Sequence, residues 1–239
     1  MKREYWIILI VYIAMQFSSL AGVPLLMYGF KLYGLSGRLA VPVWLVISFS
    51  LALIITLIIL RKEMRNNRNE RGTSLGLSII WAFFGVFLAL FAQAIAANIE
   101  RLIGIEMGSE NTKDIIHIIE EFPLAILVSS IFGPILEEIV FRKILFGTLH
   151  KRFNFFISAI ISSVIFALAH MELEHILLYS AMGFTFAFLY VKTKHILVPI
   201  FAHVTMNTMV VIVQSAYKDE IERLIRDAES MQNFIGGFL

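Results

Sequence analysis

Cysteine is absent from the 239-residue chain, which excludes disulfides, thiolate metal sites and a cysteine nucleophile. Charge is scarce: Asp, Glu, Lys and Arg make up 16% of the residues, and the formal net charge is +2. So small an excess, with no basic patch interleaved with aromatics, excludes nucleic acid as a partner. There is no internal repeat, no long polar linker and no stretch left over for a soluble domain. Residues 1–239 therefore read as a single membrane domain. What the chain has in abundance is apolar surface, with 59% hydrophobic residues and a mean hydropathy of +0.81. A soluble domain of this size would have to turn much of that surface toward water. A bilayer solvates it.

A membrane-crossing helix needs about 20 predominantly apolar residues. Seven segments qualify, near 5–27, 41–60, 74–97, 122–149, 153–171, 176–191 and 196–217. The expected fold is all-α, a polytopic transmembrane bundle of about seven spans, within a range of roughly six to eight. The sixth segment is short, and the fourth is long and interrupted by Gly133-Pro134. Lys2 and Arg3 precede the first run, but that run is too long for a signal-peptide core and has no clean small-residue cleavage site, so it reads as a retained helix. Residues 111–121 read as an amphipathic surface helix, and the tail after Lys218 as a second one lying on the membrane face.

Basic residues set the expected orientation. One set of connections holds Lys2, Arg3, Arg61, Lys62, Arg65, Arg68, Arg71, Lys151, Arg152, Lys192 and Lys194. The opposite set, tail excluded, holds only Lys31, Arg38, Arg101 and Lys113, beside an acidic third–fourth connection. This predicts a multi-pass cell-membrane protein with a cytoplasmic N-terminus and the C-terminus outside. Lys218, Arg223 and Arg226 of the tail reduce the asymmetry without reversing it.

Against this apolar background, the fourth segment carries Glu137, Glu138 and Arg142. Each ionised side chain at bilayer depth costs about 2.5–3.5 kcal/mol on insertion scales, so three within six positions require partners, a watery cavity, or both. A structural ion pair is the plain reading of Glu138 and Arg142, which stand at i and i+4 with the acid N-terminal to the base. Glu137 is rotated about 100° away and cannot share that contact, which leaves its carboxylate for chemistry. If the helix restarts after Gly133, Pro134 takes a favoured first position and both acids sit in a first turn, where the dipole favours negative charge.

Two later segments supply complements. Phe166 and His170 share a face of the fifth, as do His203 and Asn207 of the seventh, each pair being i, i+4. At about 1.5 Å per residue from the flanking inner charges, Glu137, His203 and Asn207 fall near mid-membrane and His170 toward the outside. A polar residue alone in a membrane helix is often interhelical glue. Four on three spans, most of them near mid-membrane, point to one site. His117, His150, His175 and His195 fall at segment ends, where interfacial solvation explains them. Ser129, Ser130, Ser162 and Ser163, and the Gly183/Ala187 pair, read as helix-packing residues.

The motifs Glu137-Glu138-x-x-x-Arg142, Phe166-x-x-x-His170 and His203-x-x-x-Asn207 resemble, in order and placement, those of the CAAX protease and bacteriocin-processing (Abi) family. These are intramembrane glutamate proteases related to the Ras-converting CAAX endopeptidase. The resemblance spans residues 134–207 and places the catalytic helices within 123–210. It implies that Glu137 activates water as general base with His170 orienting it, and that His203 and Asn207 bind the oxyanion. Glu138, Arg142 and Phe166 are supporting residues in that scheme. It further implies a peptide or protein substrate, lipidated or not, met at the membrane lipid, and no cofactor. Three other readings of the residues stay open. Glu137, His170 and His203 could bind zinc, although no H-E-x-x-H pair occurs and the Arg142 cation disfavours it. A transporter also uses broken helices and buried acids, but no repeat relates the halves. A non-catalytic binder, such as a bacteriocin-immunity protein, is the third.

Overall fold

The computed structural model describes residues 1–66, 72–218 and the single positions 220, 223, 224 and 227. No strand occurs among the described residues. In hydrocarbon every backbone N–H and C=O must be satisfied within its own segment or a closed sheet, and the apolar runs accordingly coil into helices. These are α1 (Arg3–Phe17), α2 (Ser19–Leu32), α3 (Ala40–Asn66), α4 (Leu75–Leu102) and the amphipathic α5 (Glu110–Glu121). They are followed by α6 (Pro123–Leu149), α7 (Phe155–Leu168), α8 (Ile176–Thr193) and α9 (Leu197–Ala216). Side-chain caps start several of them: Ser74 accepts from the Leu77 amide, Ser109 from Thr112 and Asn154 from Ile157, each satisfying an orphan N–H. The expected amphipathic tail after Lys218 lies almost entirely outside the described residues.

Five helices are long and apolar enough to cross a bilayer, and α1 with α2 makes up to a sixth as a pair bent by 49°. The bend falls at Ser18, whose hydroxyl bonds Met15 O at 2.7 Å and accepts from Trp44 Nε1 at 3.0 Å. Such back-bonding competes with the regular helical ladder. The fifth expected span, near 153–171, is the exception. α7 has 14 residues, about 21 Å, against a hydrocarbon core of roughly 30 Å. The chain turns back through Met171, whose φ is +58°, before entering α8.

α8 sits centrally, packed on α4, α7 and α9, while α6 packs on α3, α7 and α9. Gly183 lets α8 approach Ser163 of α7 so closely that a Cβ there would lie 2.9 Å from the serine Cβ, as the small-residue reading requires. Polar clusters tie the helix ends into two faces. On one, Glu63 receives Lys2, Tyr5 and Lys143 at 2.8–2.9 Å, and His195 Nε2 meets Thr73 O at 3.0 Å. On the other, Glu100 joins His175 and the Leu178 amide, and α5 is held through Ser109 and Asn111 to Glu172. Interfacial solvation is therefore the wrong account of His175 and His195: both are hydrogen-bonded to protein, and His175 is buried.

Candidate active site

The local conformation of α6 follows from Pro134. Val128–Phe132 and Glu138–Phe146 are wound as π-helix around a short α-helical stretch, Gly133–Glu137. Phe132, Gly133 and Glu138 all keep right-handed helical dihedrals, so the expected restart after Gly133 does not occur and no helix N-terminus faces the acids. The π-turn absorbs the proline instead. The Gly133 amide bonds Val128 O, five residues back, and this skips the carbonyl of Ser129. The amide five positions beyond Ser129 would be that of Pro134, which has no N–H. The carbonyl left over is taken by Asn207, whose Nδ2 donates to it at 3.2 Å.

The two acids then separate as the spacing predicts. Arg142 Nε stands 3.1 Å from Glu138 Oε2, and both side chains are fully buried. The guanidinium lies 4.3 Å from the Phe166 ring centroid, a cation–π contact that matters where its Nη groups have no hydrogen-bond partner among the described residues. Glu138 also has a partner the sequence did not suggest: its Oε1 accepts from His203 Nδ1 at 2.9 Å. That bond turns His203 Nε2 toward Glu137, 3.7 Å from Oε2. The Glu137 side chain keeps 18% of its surface exposed and faces a cavity.

His170 reaches the same cavity because α7 is short. It lies in the turn just past Leu168, not near the outer end of a full-length span, and its Nδ1 donates to Phe166 O at 2.8 Å. Its ring stacks on Tyr179 with centroids 4.0 Å apart. Phe166 sets its edge against both His170 and His203, and Phe186 stacks flat on His203 at 4.6 Å. The cavity measures about 670 Å³, and Glu137, His170, His203 and Asn207 all line it. Glu138, Arg142 and Phe166 stand behind its wall, buried. Among the described residues no group of three or more His, Asp or Glu side chains is placed to hold a metal ion.

Among the lining residues that the sequence reading missed, two stand on α1. Tyr12 and Gln16 of α1 face the cavity, with Gln16 Nε2 donating to the Tyr12 oxygen at 3.2 Å. Their i, i+4 spacing within an otherwise apolar span is the signal that could have found them. Gly133 is the remaining feature of the wall, since a Cβ there would lie 3.0 Å from Val128 O and 3.7 Å from Glu137 Oε1. Gly133→Ala is expected to cost about 1–3 kcal/mol of stability, as overpacking does, and to slow turnover by shifting Glu137. Unfolding and turnover measured on the same detergent preparation check both effects.

Above the cavity, Glu172 binds the Tyr179 and Ser109 hydroxyls at 2.7 and 2.8 Å and the Asn111 amide at 3.1 Å. Burial acts to raise its pKa, but these hydrogen bonds outweigh it and hold the carboxyl below its usual 4.5. A depressed carboxylate contributes stability above its unfolded pKa and loses it as pH falls through the folded one. Glu172→Gln should therefore lower the melting temperature at neutral pH, with the gap to wild type closing below about pH 4.

Comparison with known proteins places this geometry. Residues 119–209 match the model of the family described as type II CAAX prenyl endopeptidase Rce1-like, a stretch containing Glu137, Glu138, Arg142, Phe166, His170, His203 and Asn207. The chain is 50% identical to the "Putative membrane peptidase YdiL" of Bacillus subtilis (strain 168) over 248 aligned positions, 99% of both chains. It is 37% identical to the membrane-embedded CAAX protease MroQ of Staphylococcus aureus (strain USA300) over 164 positions, 66% of this chain and 65% of that one. No solved structure matches. Sharing half its residues with one membrane peptidase along its whole length, and the Rce1-like region with the family at large, the chain belongs to the Rce1-like CAAX endopeptidase family of membrane peptidases.

Proposed function

We propose that the chain is a cell-membrane endopeptidase in which Glu137 activates a water molecule against a peptide bond held in the cavity, with residues 123–210 carrying the chemistry. The observation supporting this is that Glu137, His170, His203 and Asn207, from three separate segments of chain, line one cavity. His170, with Nδ1 committed to Phe166 O, has Nε2 left to accept from water, as the Glu137 carboxylate does. Two acceptors on the two water protons leave an oxygen lone pair free for attack. Glu137 takes a proton as the water oxygen bonds to the scissile carbon. The carbonyl oxygen becomes an oxyanion facing Asn207, which has a second amide proton beyond the one given to Ser129 O, and His203, which with its Nδ1 proton given to Glu138 donates from Nε2 as the imidazolium. Such preorganised donors are often worth several kcal/mol in the transition state. The proton on Glu137 then passes to the leaving amine as the C–N bond breaks, releasing a new carboxylate and a new amine.

Glu138 and Arg142 position rather than react: the acid holds His203 through Nδ1, and the arginine holds the acid. The substrate is a peptide or protein segment, lipidated or not, reaching the site from the membrane. The scheme requires no metal, so cleavage by purified protein should persist in excess chelator. His170→Ala, which leaves Glu138 and Arg142 in place, should abolish most cleavage of any peptide the wild type cuts. Undiminished cleavage by that variant, or by Glu137→Ala, would overturn the assignment.

A further inference from the structure

Apart from Glu137 itself, the proposed chemistry draws its groups from one flank of α6. There α7, α8 and α9 pack on one another, and His170, His203 and Asn207 reach the cavity from that side. The other flank is covered by α1 and α3, which pack together and onto α6. α3 gives the cavity the apolar Leu45 and Phe49, and α1 gives it the polar Tyr12 and Gln16. Tyr12 stands close to the base. Its ring packs edge-on against Phe141 with centroids 5.8 Å apart, and Phe141 follows Glu137 by four positions along α6. The Tyr12 oxygen lies within electrostatic reach of the Glu137 carboxylate. Only 7% of Tyr12 is exposed, so packing fixes its place.

The hydrogen bonding of this pair is unfinished. Gln16 Nε2 donates to the Tyr12 oxygen at 3.2 Å. That leaves the phenolic proton, the second Gln16 N–H and the Gln16 carbonyl oxygen without a protein partner among the described residues. A peptide brings the complementary need. A segment opened for hydrolysis within a bilayer gives up its helical hydrogen bonds, and its N–H and C=O groups must be satisfied by the protein. In the proposed reaction His203 and Asn207 take the scissile carbonyl, so the neighbouring peptide groups still need a donor and an acceptor. An amide with one N–H and its C=O open matches a peptide group, and the phenol adds a further donor. We infer that Tyr12 and Gln16 bind the substrate main chain beside the scissile bond, making α1 the second wall of the binding site. Pairing with backbone groups holds a peptide in register whatever its side chains are. α1 lies outside residues 119–209, the stretch that the family model matches, so the wall that grips the substrate is separate from the helices that carry the chemistry. The inference rests on the peptidase reading, because it names what the same site holds.

The test uses the full chain in detergent and an internally quenched peptide chosen from a panel because wild type cuts it. Tyr12→Phe keeps the ring on Phe141 and removes only the hydroxyl, while Gln16→Leu removes the amide from a span that accommodates leucine. Each is expected to raise KM by about 3–10-fold, the worth of one neutral hydrogen bond. kcat and its pH profile should stay within about two-fold of wild type, as loss of uniform binding requires. N-methylation of the peptide, one residue at a time, removes the substrate's half of the contact. At one position it should weaken cleavage by wild type by a similar factor and leave Gln16→Leu no worse, the signature of a shared interaction. Unchanged KM in either variant, or N-methyl losses equal in wild type and Gln16→Leu at every position, overturns main-chain binding by α1. A fall in kcat with a shifted pH profile in Tyr12→Phe would make the tyrosine a partner of Glu137 instead, and overturns it too. Failure of wild type to cut any peptide of the panel would overturn the peptidase reading itself, and this inference with it.

Discussion

Replacing Glu137 by Gln is expected to lower the rate of peptide cleavage by about 10²–10⁴-fold, the usual contribution of a positioned base, while leaving the protein as stable as wild type. The substitution keeps size and shape but removes the proton acceptor. Stability should be spared because Glu137 is partly exposed to the cavity and its nearest polar side-chain contact among the described residues, His203 Nε2, stands 3.7 Å away, beyond hydrogen-bond distance. The buried ion pair belongs to Glu138 and is untouched. Turnover of any cleaved peptide by the detergent-purified variant, set beside its unfolding curve, checks both halves. A rate within a few-fold of wild type would place the base elsewhere.

The second large effect has the opposite signature. Arg142→Met should destabilise the fold by about 3–5 kcal/mol, because removing one partner of a buried pair strands the other charge. Glu138 is fully buried and would keep only His203. The guanidinium also fills the space under the Phe166 ring, so methionine, with similar length but no charge, isolates the electrostatic loss from the packing loss. Combining it with Glu138→Gln should recover a large part of the stability, since a buried pair removed whole leaves nothing uncompensated. Denaturant unfolding of the single and double variants measures the coupling, and purely additive losses would argue that the two groups do not act as a pair. Activity should not return in the double variant, because His203 has then lost the carboxylate that orients it.

Together these variants separate two adjacent glutamates that composition cannot tell apart. One should affect rate without stability, the other stability first and rate through His203. The separation rests on a local fact, the i, i+4 placement of Glu138 and Arg142, and that placement is why it was legible before any coordinates. The depth of His170 was not legible in the same way. Counting rise along an assumed full-length helix put it near the outer surface, whereas α7 stops after 14 residues and the chain folds back, bringing the imidazole beside Tyr179. Nothing in the run of apolar residues announced that stop. The turn depends on Met171 adopting a positive φ, and methionine is not a residue that marks one.

The sequence alone determined that the chain lives in a bilayer, that it is helical, and which few polar side chains lipid would not tolerate without a purpose. Those conclusions follow from transfer energies and from spacings within single helices, neither of which needs a partner to be known. Only the tertiary structure decided that Glu138 grips His203, that Asn207 satisfies the carbonyl stranded by Pro134, that Tyr12 joins the site, and that Glu100 and His175 pair on the face that carries α5. Each of these depends on how one helix is rotated and set in depth against another. In a membrane the lipid-facing and core-facing sides of a helix are equally apolar, so hydrophobic pattern does not encode that rotation. Interhelical packing and hydrogen bonding decide it.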